Sequence, residues 1–257
     1  TSLRQQTGER NLCLAGGVAL NCVANGKLLR EAGFEHIWIQ PAAGDAGGAL
    51  GAALAFWHRA LRARNAIGPG GDGMSGAFLG PEFDDETIAA TLDRLGAVYT
   101  QLSDDELLAT AAADLADGQA LGWFQGRAEY GPRALGNRSI LADPRRADTQ
   151  SLLNLKVKFR ESFRPFAPAV LAEHAQDYFD LNAPSPYMLI VAPVKEECRL
   201  PVNDNAQGLD RLKQIRSNIP AVTHVDYSAR VQTVRADSHP RFHALLSKFH
   251  ALTGCAT

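Results

Sequence analysis

The first sixty residues alternate between short apolar runs and helix-like segments. The apolar run at residues 11–15 ends at two glycines and has the pattern of a buried strand. Residues 21–31 are predicted to form a helix that stops at Gly33, and residues 36–40 a second strand. A tight glycine turn at residues 44–48 is expected to open a long Ala/Leu-rich helix. Two strand–turn–helix units predict an α/β layer structure.

The clearest break in the pattern is the Gly/Pro-rich stretch at residues 68–73. It contains no strong helix or strand former, so it is interpreted as a linker or exposed loop. We expect a domain boundary there, which divides the chain into residues 1–72 and residues 76–257.

The second segment is predicted to mix helices with short strands. An acidic, N-capped helix is expected at residues 84–95, and Ser103 with Glu106 forms a capping box that starts a helix to about residue 117. A further helix is predicted at residues 244–252. The predicted strands are residues 97–101, 120–124 (as a buried strand), 140–142, 169–171 and 188–191.

Composition excludes several classes of protein. The 257 residues include 26 Lys and Arg against 28 Asp and Glu, a formal net charge of −2, which argues against a dedicated duplex-DNA binder. No apolar run is long enough to predict a membrane span. The four cysteines form no CxxC pair and no zinc spacing, so we expect reduced thiols in a cytoplasmic protein. Because there is no initiating Met, the chain is expected to derive from a longer one.

Residues 126–139 are the strongest candidate for chemistry. They follow a predicted strand and contain three glycines together with Arg127, Arg133 and Arg138. Glycines let the backbone approach a ligand, and guanidinium groups bind phosphate or carboxylate in a bidentate way. The pattern favours an anion site. The alternative is a solvated basic loop in which Glu129 is the ionic partner.

A second basic cluster follows at Lys156, Lys158 and Arg160. These cations alternate with Val157 and Phe159, so an extended backbone would place all three on one face. Such a row either faces solvent or faces the first arginine loop, where it would complete a polyanion pocket. Spacing alone leaves both alternatives open.

Four further features were considered. Polarity of period two at residues 224–234 predicts a strand whose polar face, which includes Arg230, is solvated. Asp45 is interpreted as a helix N-cap in preference to a metal ligand. His239 and His243 stand four apart without the glutamate of a zinc helix and are interpreted as surface residues. Gly16-Gly17 with Asn21 could form a phosphate-binding turn, although the usual nucleotide fingerprints are absent.

Taken together, these stretches resemble the O-carbamoyltransferases of the NodU/CmcH family. The resemblance covers nearly the whole chain, and the arginine–glycine stretch is its most specific part. The matching motifs are GGVALN at 16–21, Pro41 with GDAG at 44–47, GRAEYGPRALGNRSI at 126–140, KVKFRE at 156–161 with RPFAP at 164–168, and ARVQTV at 229–234.

The resemblance implies a fold and an activity. Residues 1–72 look like the C-terminal part of an actin/sugar-kinase-like (ASKHA) domain, and residues 76–257 like a YrdC-like twisted α/β domain truncated at its C-terminus. Members of the family form carbamoyladenylate from carbamoyl phosphate and ATP. They pass the carbamoyl group to a hydroxyl of a sugar or natural product. A cytoplasmic enzyme with small-molecule partners, neither DNA nor membrane, is expected, and oligomerisation is left open.

The resemblance also assigns roles to residues. Arg127, Arg133, Arg138, Lys156 and Arg160 are expected to be catalytic, through electrostatic stabilisation of the reactants and of the phosphorus transition state. Asp45 matches a carboxylate ligand of an iron centre, so Fe(II) or Mg(II) is expected in the full-length protein. The residues expected to bind ATP or carbamoyl phosphate are those five together with Asn137, Ser139, Lys158, Arg230, Gly16, Gly17 and Asn21.

The chain departs from the family pattern at both ends. The paired histidine metal ligands would lie upstream of Thr1, and an Asn-Thr-Ser-Phe-Asn motif would lie beyond Thr257. We therefore expect that this chain alone does not carbamoylate an acceptor. The alternatives are a YrdC-like nucleotide- or RNA-binding module without transferase activity and a partly folded remnant that aggregates.

Overall fold

The computed structural model describes residues 2–62, 72–203 and 205–257. It shows a mixed α/β fold built on small sheets. The strands are β1 (Asn11–Leu14), β2 (His36–Ile39), β3 (Leu121–Phe124), β4 (Arg138–Leu141), β5 (Ala169–Leu171), β6 (Ile190–Pro193) and β7 (Ser228–Val234). The α-helices are α1 (Ser2–Thr7), α2 (Cys22–Glu31), α3 (Asp45–Ala55), α4 (Asp85–Arg94), α5 (Asp104–Ala116), α6 (Thr149–Lys156), α7 (Ala175–Tyr178), α8 (Gly208–Leu212) and α9 (Pro240–Thr253).

The two strand–helix units of the first segment are confirmed. β1 and β2 pair in parallel, and α2 and α3 follow them. Asn21 caps α2 by accepting a hydrogen bond from the Ala24 amide at 3.1 Å, and Gly33 adopts a positive φ just after the helix. The prediction that β1 is buried was wrong. Its residues alternate between exposed and half-buried because one face packs on the core and the other, which carries Cys13, does not.

The start of α3 differs from the prediction. Gly44 is the N-cap residue and offers no side-chain cap, and Asp45 is the exposed first residue of the helix. The interpretation of Asp45 as the N-cap was therefore wrong by one position. Gly47 and Gly48 belong to the helix, so of the glycine turn predicted at residues 44–48 only Gly44 precedes the helix. Of the predicted linker, residues 68–71 lie outside the described residues, and the domain boundary stays a prediction.

The next elements lead to the arginine-rich stretch. Helices α4 and α5 form as predicted, and the capping box of Ser103 and Glu106 is present. The predicted strand at 97–101 was wrong: Val98 is fully exposed, and the segment has no strand pairing among the described residues. β3 and β4 form an antiparallel pair in which Phe124 lies opposite Arg138. Only Trp123 in β3 is buried, so the strand is less enclosed than predicted.

β7 is the central strand of a three-stranded sheet with the order β5-β7-β6. It runs parallel to β5 and antiparallel to β6. The predicted solvated face was wrong: Ser228 and Gln232 are buried, and Arg230 is half-buried. A central strand has neighbours on both edges, and here both of its faces are covered as well. The core beneath it includes α5 packed against α9.

Helix α2 covers the free edge of this sheet. Asn25 Nδ2 donates to the Leu189 carbonyl at 3.0 Å, and Arg30 Nη1 donates to the Val191 carbonyl at 3.0 Å. At Gly26 the backbones come so close that a Cβ atom would lie 2.1 Å from the Val191 oxygen. The first segment is thereby joined to the second through side-chain hydrogen bonds to main-chain carbonyls and a close backbone approach. No described helix has the length and apolar character needed to cross a membrane.

Candidate anion-binding site

The loop between β3 and β4, residues 125–137 and here called the arginine loop, is folded around Glu129. One oxygen of this carboxylate accepts hydrogen bonds from the backbone amides of Leu135 (2.7 Å), Asn137 (2.9 Å) and Arg138 (3.2 Å). No ion pair between Glu129 and an arginine is present among the described residues. The acidic residue therefore shapes the backbone of the loop and leaves the charge of its arginines in place.

A buried polar network supports the same loop from below. His239 Nε2 lies 2.7 Å from Asn137 Oδ1 and 3.0 Å from Gln125 Nε2, and Asn137 Nδ2 donates to the Arg127 carbonyl at 2.6 Å. Burial lowers the pKa of His239 to about 4, so the ring is neutral at pH 7. The interpretation of His239 as a surface residue was wrong. His243 is only 17% exposed and lies 2.8 Å from Glu173.

Arg127 of the arginine loop and Arg138, the first residue of β4, are directed to other parts of the protein. Arg127 is exposed and lies near the Gly80 carbonyl (3.3 Å) and Glu82 (3.4 Å). Arg138 donates to the carbonyls of Gln125 (2.7 Å) and Asn137 (2.8 Å) and stacks over a phenylalanine ring at 3.5 Å. Its guanidinium is largely occupied by structural contacts. Anion binding by either residue stays a prediction.

Arg133 is directed toward the first segment. Its Nη2 donates to the Leu20 carbonyl at 3.1 Å and lies 3.6 Å from the Cys22 sulfur. Its Nε is buried and has no hydrogen-bond partner among the described residues. A buried donor without a partner costs about 1–3 kcal/mol, which an anionic ligand would offset.

Arg230 approaches the same place from β7. Its neighbour on the same face of the strand, Gln232, donates to the Leu135 carbonyl at 2.7 Å, so this face lies against the arginine loop. Burial lowers the pKa of Arg230, the positive charges of Arg133 and Arg160 lower it further, and the neighbouring Cys22 opposes the shift. Residues as far apart in sequence as Arg133 and Arg230 are thus brought together, and the guanidinium groups of Arg133 and Arg160 both lie close enough to Arg230 to repel it.

Arg160 is held in position by Asn154. Its Nε donates to Asn154 Oδ1 at 2.6 Å, and the fully buried Asn154 donates its own amide to the carbonyls of Ser162 and Arg164. The predicted extended row was wrong, because Lys156 is the last residue of α6 and Phe159 has a positive φ of 50°. Lys156 and Lys158 are exposed, and of the three cations only Arg160 acts on Arg230.

Arg133, Arg160 and Arg230 form what we call the arginine cluster. No described carboxylate forms an ion pair with any of the three. Clustered cations without counter-charges raise the free energy of the folded state and attract anions. The geometry therefore favours a site for phosphate or another compact anion between the arginine loop, β7 and the start of α2.

The remaining predicted ligands have local roles in the structure. Ser139 Oγ accepts a hydrogen bond from the Gly136 amide at 3.0 Å. Asn21 serves as the cap of α2, and the exposed Gly16 and Gly17 lead into it. These contacts leave their role in ligand binding as a prediction.

The metal prediction rests on Asp45. Its neighbour Ala46 accepts a hydrogen bond from the Tyr130 hydroxyl, so the start of α3 lies beside the arginine loop. Among residues 2–62, 72–203 and 205–257, no group of three or more His, Cys, Asp or Glu side chains is placed to hold a metal ion. Asp45 alone does not make a metal site.

Sequence reasoning did not identify the residues that position the cluster. Glu129 was considered only as an ionic partner of the arginines, and Gln232 only as part of the solvated face predicted for residues 224–234. Asn154 and Cys22 were assigned no role. Their contribution depends on backbone atoms brought close by folding. The buried position of Asn154 in an amphipathic helix is the one local signal that could have indicated it.

Comparison with known proteins identifies a family for both segments of the chain that form the candidate site. A family model described as "Carbamoyltransferase C-terminus" matches residues 112–257, which include the whole arginine cluster, and one described as "Carbamoyltransferase N-terminus" matches residues 1–54. The chain belongs to the carbamoyltransferase family. The segments matched by the two models therefore meet at the arginine cluster, because Arg133 in the C-terminal segment contacts Leu20 and Cys22 in the N-terminal segment.

Three relatives illustrate the match. The uncharacterized protein sll1178 of Synechocystis is 56% identical over 98% of this chain and 42% of its own length. Nodulation protein NolO of Bradyrhizobium diazoefficiens is 42% identical over 97% of this chain and 42% of its own length. Nodulation protein U of Rhizobium fredii is 34% identical over 96% of this chain and 37% of its own length. The chain thus spans about two fifths of the length of these relatives.

Proposed function

We propose that this carbamoyltransferase chain takes part in ATP-dependent O-carbamoyl transfer and binds the phosphate groups of the reactants at the arginine cluster. The observation that carries the proposal is the uncompensated charge of Arg133, Arg160 and Arg230. Family membership supports the carbamoyl chemistry, and the cluster supports anionic substrates such as carbamoyl phosphate and ATP.

The cluster is suited to phosphoryl chemistry. Fixed guanidinium groups offset the mutual repulsion of two anionic reactants and stabilise charge that develops on phosphorus oxygens. Because their positions are set by the strand, the Glu129-centred loop and Asn154, little reorganisation is needed when the substrate binds.

Atom balance defines the proposed reaction. Carbamoyladenylate contains the carbamoyl group and AMP, so ATP loses pyrophosphate and carbamoyl phosphate must lose its phosphate. One water molecule is consumed: it cleaves carbamoyl phosphate to carbamate and phosphate, and a carbamate oxygen then displaces pyrophosphate at the α-phosphorus. The adenylate is the carbamoyl donor in the last step.

For the longer protein we propose a hydroxyl of a sugar or other natural product as the acceptor. The nodulation proteins among the relatives support this class. A role of Asp45 at an Fe(II) or Mg(II) centre stays part of the same proposal and would need ligands other than those described. Use of ATP and the free cysteines favour a cytoplasmic location.

Calorimetric titration with carbamoyl phosphate and with pyrophosphate tests the proposal. We expect saturable binding by the wild-type chain and binding at least about tenfold weaker in Arg133→Met, since one charge-assisted contact is worth about 1.5–3 kcal/mol. Arg146→Met is the matched control, because Arg146 is exposed and paired with Asp148. Absence of binding by the folded wild-type chain, or equal affinity in both variants, would contradict the proposal.

A further inference from the structure

His224 lies in the turn that leads into β7, on the side of the arginine cluster. The His224 amide donates to the Ser228 carbonyl at 2.7 Å, and the Tyr227 amide donates to the His224 carbonyl at 3.1 Å. These bonds attach the turn to the first residue of the strand. Ser228, Arg230 and Gln232 alternate along β7 and share a face, and Gln232 contacts the arginine loop. The His224 side chain contacts Ser228 and so lies at the end of this same row.

Hydrogen bonds fix the tautomer of His224. The Ser228 hydroxyl donates its single hydrogen to Asp226 Oδ1 at 2.6 Å, since a carboxylate cannot donate. The Ser228 oxygen can therefore only accept from His224 Nδ1, which lies 3.0 Å away. The proton of the neutral ring is on Nδ1, and Nε2 carries a free lone pair. The Asp226–Ser228–His224 chain orients the imidazole and stabilises its protonated form, as a carboxylate does in many enzymes.

The surroundings keep this ring neutral. Burial lowers the pKa of His224, Asp226 opposes the shift, and the positive charge of Arg230 adds to it. The ring therefore lies within electrostatic range of Arg230, one member of the arginine cluster. A neutral imidazole beside an anion site has the properties of a general base at neutral pH.

We infer that His224 Nε2 is the general base for the water that attacks carbamoyl phosphate at the arginine cluster. This inference rests on the proposed function. As the water oxygen bonds to phosphorus, its proton passes to Nε2, and the bond between phosphorus and the carbamoyl oxygen breaks with its electron pair going to carbamate. His224 then transfers this proton to the phosphate product. Arg133, Arg160 and Arg230 hold the anion, and Asp226 through Ser228 holds the base.

The test measures phosphate release from carbamoyl phosphate by the purified chain, corrected for spontaneous breakdown, from pH 5 to pH 8. His224→Asn keeps an amide N–H donor for Ser228 but has no basic nitrogen. His36→Asn is the matched control, since His36 is an exposed histidine of β2. Calorimetry with pyrophosphate is run on each variant to report whether the fold and the anion site are intact.

We expect His224→Asn to release phosphate about a hundredfold more slowly while its pyrophosphate affinity stays within about twofold of wild type. The wild-type rate should fall below an apparent pKa lower than 6.5, and this acidic limb should vanish in the variant. Imidazole added to His224→Ala should restore part of the rate. His36→Asn should match wild type in both assays.

Two outcomes would overturn the inference while leaving the anion site intact. One is a His224→Asn variant with the wild-type rate and acidic limb, and the other is a wild-type chain that binds pyrophosphate but does not accelerate phosphate release. If the folded wild-type chain binds neither carbamoyl phosphate nor pyrophosphate, the proposed function itself fails, and the role of His224 fails with it.

Discussion

At the scale of single residues, the site depends on polar side chains that are buried or half-buried beneath it. Glu129, Asn154 and His239 make their hydrogen bonds mostly to backbone atoms or amides of the loops that carry arginines. A buried polar group is costly unless it is fully partnered, so these contacts select one loop conformation. The charged residues at the site then need little adjustment to bind an anion.

His239 gives a prediction for the pH dependence of stability. Its pKa is about 4 in the folded protein and 6.5 in an unfolded chain, so between these values the unfolded state binds more protons. Stability should therefore decrease as the pH falls from 6.5, and this histidine should account for about 3 kcal/mol by pH 4. Urea denaturation at pH 7, 5.5 and 4 measures the effect.

The variant His239→Gln isolates this contribution. Its loss of stability between pH 7 and pH 4 should be smaller than that of wild type by about 3 kcal/mol, because glutamine does not titrate. His36→Asn should keep the wild-type pH dependence, since His36 is exposed. Equal pH dependence in wild type and His239→Gln would show that the ring is protonated as readily in the folded state as in the unfolded one.

At the scale of elements, the contact of α2 with the edge of β6 joins two segments of the chain. One matches the N-terminal carbamoyltransferase model and the other matches the C-terminal one. An edge strand with free backbone groups is prone to pair with other chains, and a helix that covers it removes this hazard. Arg30 satisfies the Val191 carbonyl of this strand, and Asn25 satisfies the carbonyl of Leu189 just before it. The cluster depends on the same contact, since α2 also carries Cys22 next to Arg133.

Gly26→Ala tests this contact. Alanine favours a helix by about 1 kcal/mol over glycine, but here its Cβ would lie 2.1 Å from a carbonyl oxygen, so we expect a net loss of about 2 kcal/mol or more. Gly51→Ala in α3 is the control. No atom lies within 4 Å of its added Cβ, and it should stabilise the protein by about 0.5–1 kcal/mol.

Urea denaturation of both variants measures these differences. If Gly26→Ala were as stable as Gly51→Ala, the close packing of α2 on β6 would not exist in solution. Pyrophosphate affinity should also fall in Gly26→Ala, because a shift of α2 moves Cys22 and the Leu20 carbonyl away from Arg133.

At the scale of the whole molecule, a net charge of −2 coexists with a concentrated positive site. Long-range attraction of an extended polyanion needs a broad basic surface, whereas the arginine cluster acts over a few ångströms. The distribution of charge therefore supports the proposed binding of compact anions over the alternative of RNA binding.

Salt dependence tests this distinction. Pyrophosphate affinity should decrease by only about three- to tenfold between 50 and 500 mM KCl, because partly buried charges are screened less than exposed ones. A labelled transfer RNA should show no saturable binding at 150 mM KCl in fluorescence anisotropy. Tight RNA binding with a loss of about a thousandfold between 50 and 200 mM salt would instead support the RNA-binding module.

Much of the local structure was predictable from the sequence. The predicted caps of α4 and α5 are confirmed, and they depend on residues that are close in sequence. The strand predicted at residues 97–101 failed because strand formation needs a partner, which an apolar run cannot supply by itself. The ASKHA and YrdC-like assignment stays a prediction beside the mixed α/β fold that the structure shows.

By itself, the sequence determined which residue types are available for chemistry: a glycine-rich loop with three arginines, a basic cluster after α6 and an arginine in a late strand. Only the tertiary structure decided which of them meet. It directed Arg127 and Arg138 to other contacts, brought Arg133 and Arg160 within electrostatic range of Arg230, and buried Ser228 and Gln232 of the polar face of β7. The physical reason is that caps and turns arise from contacts a few residues apart, whereas burial and the repulsion or attraction of charges depend on distances in space that only the packed chain defines.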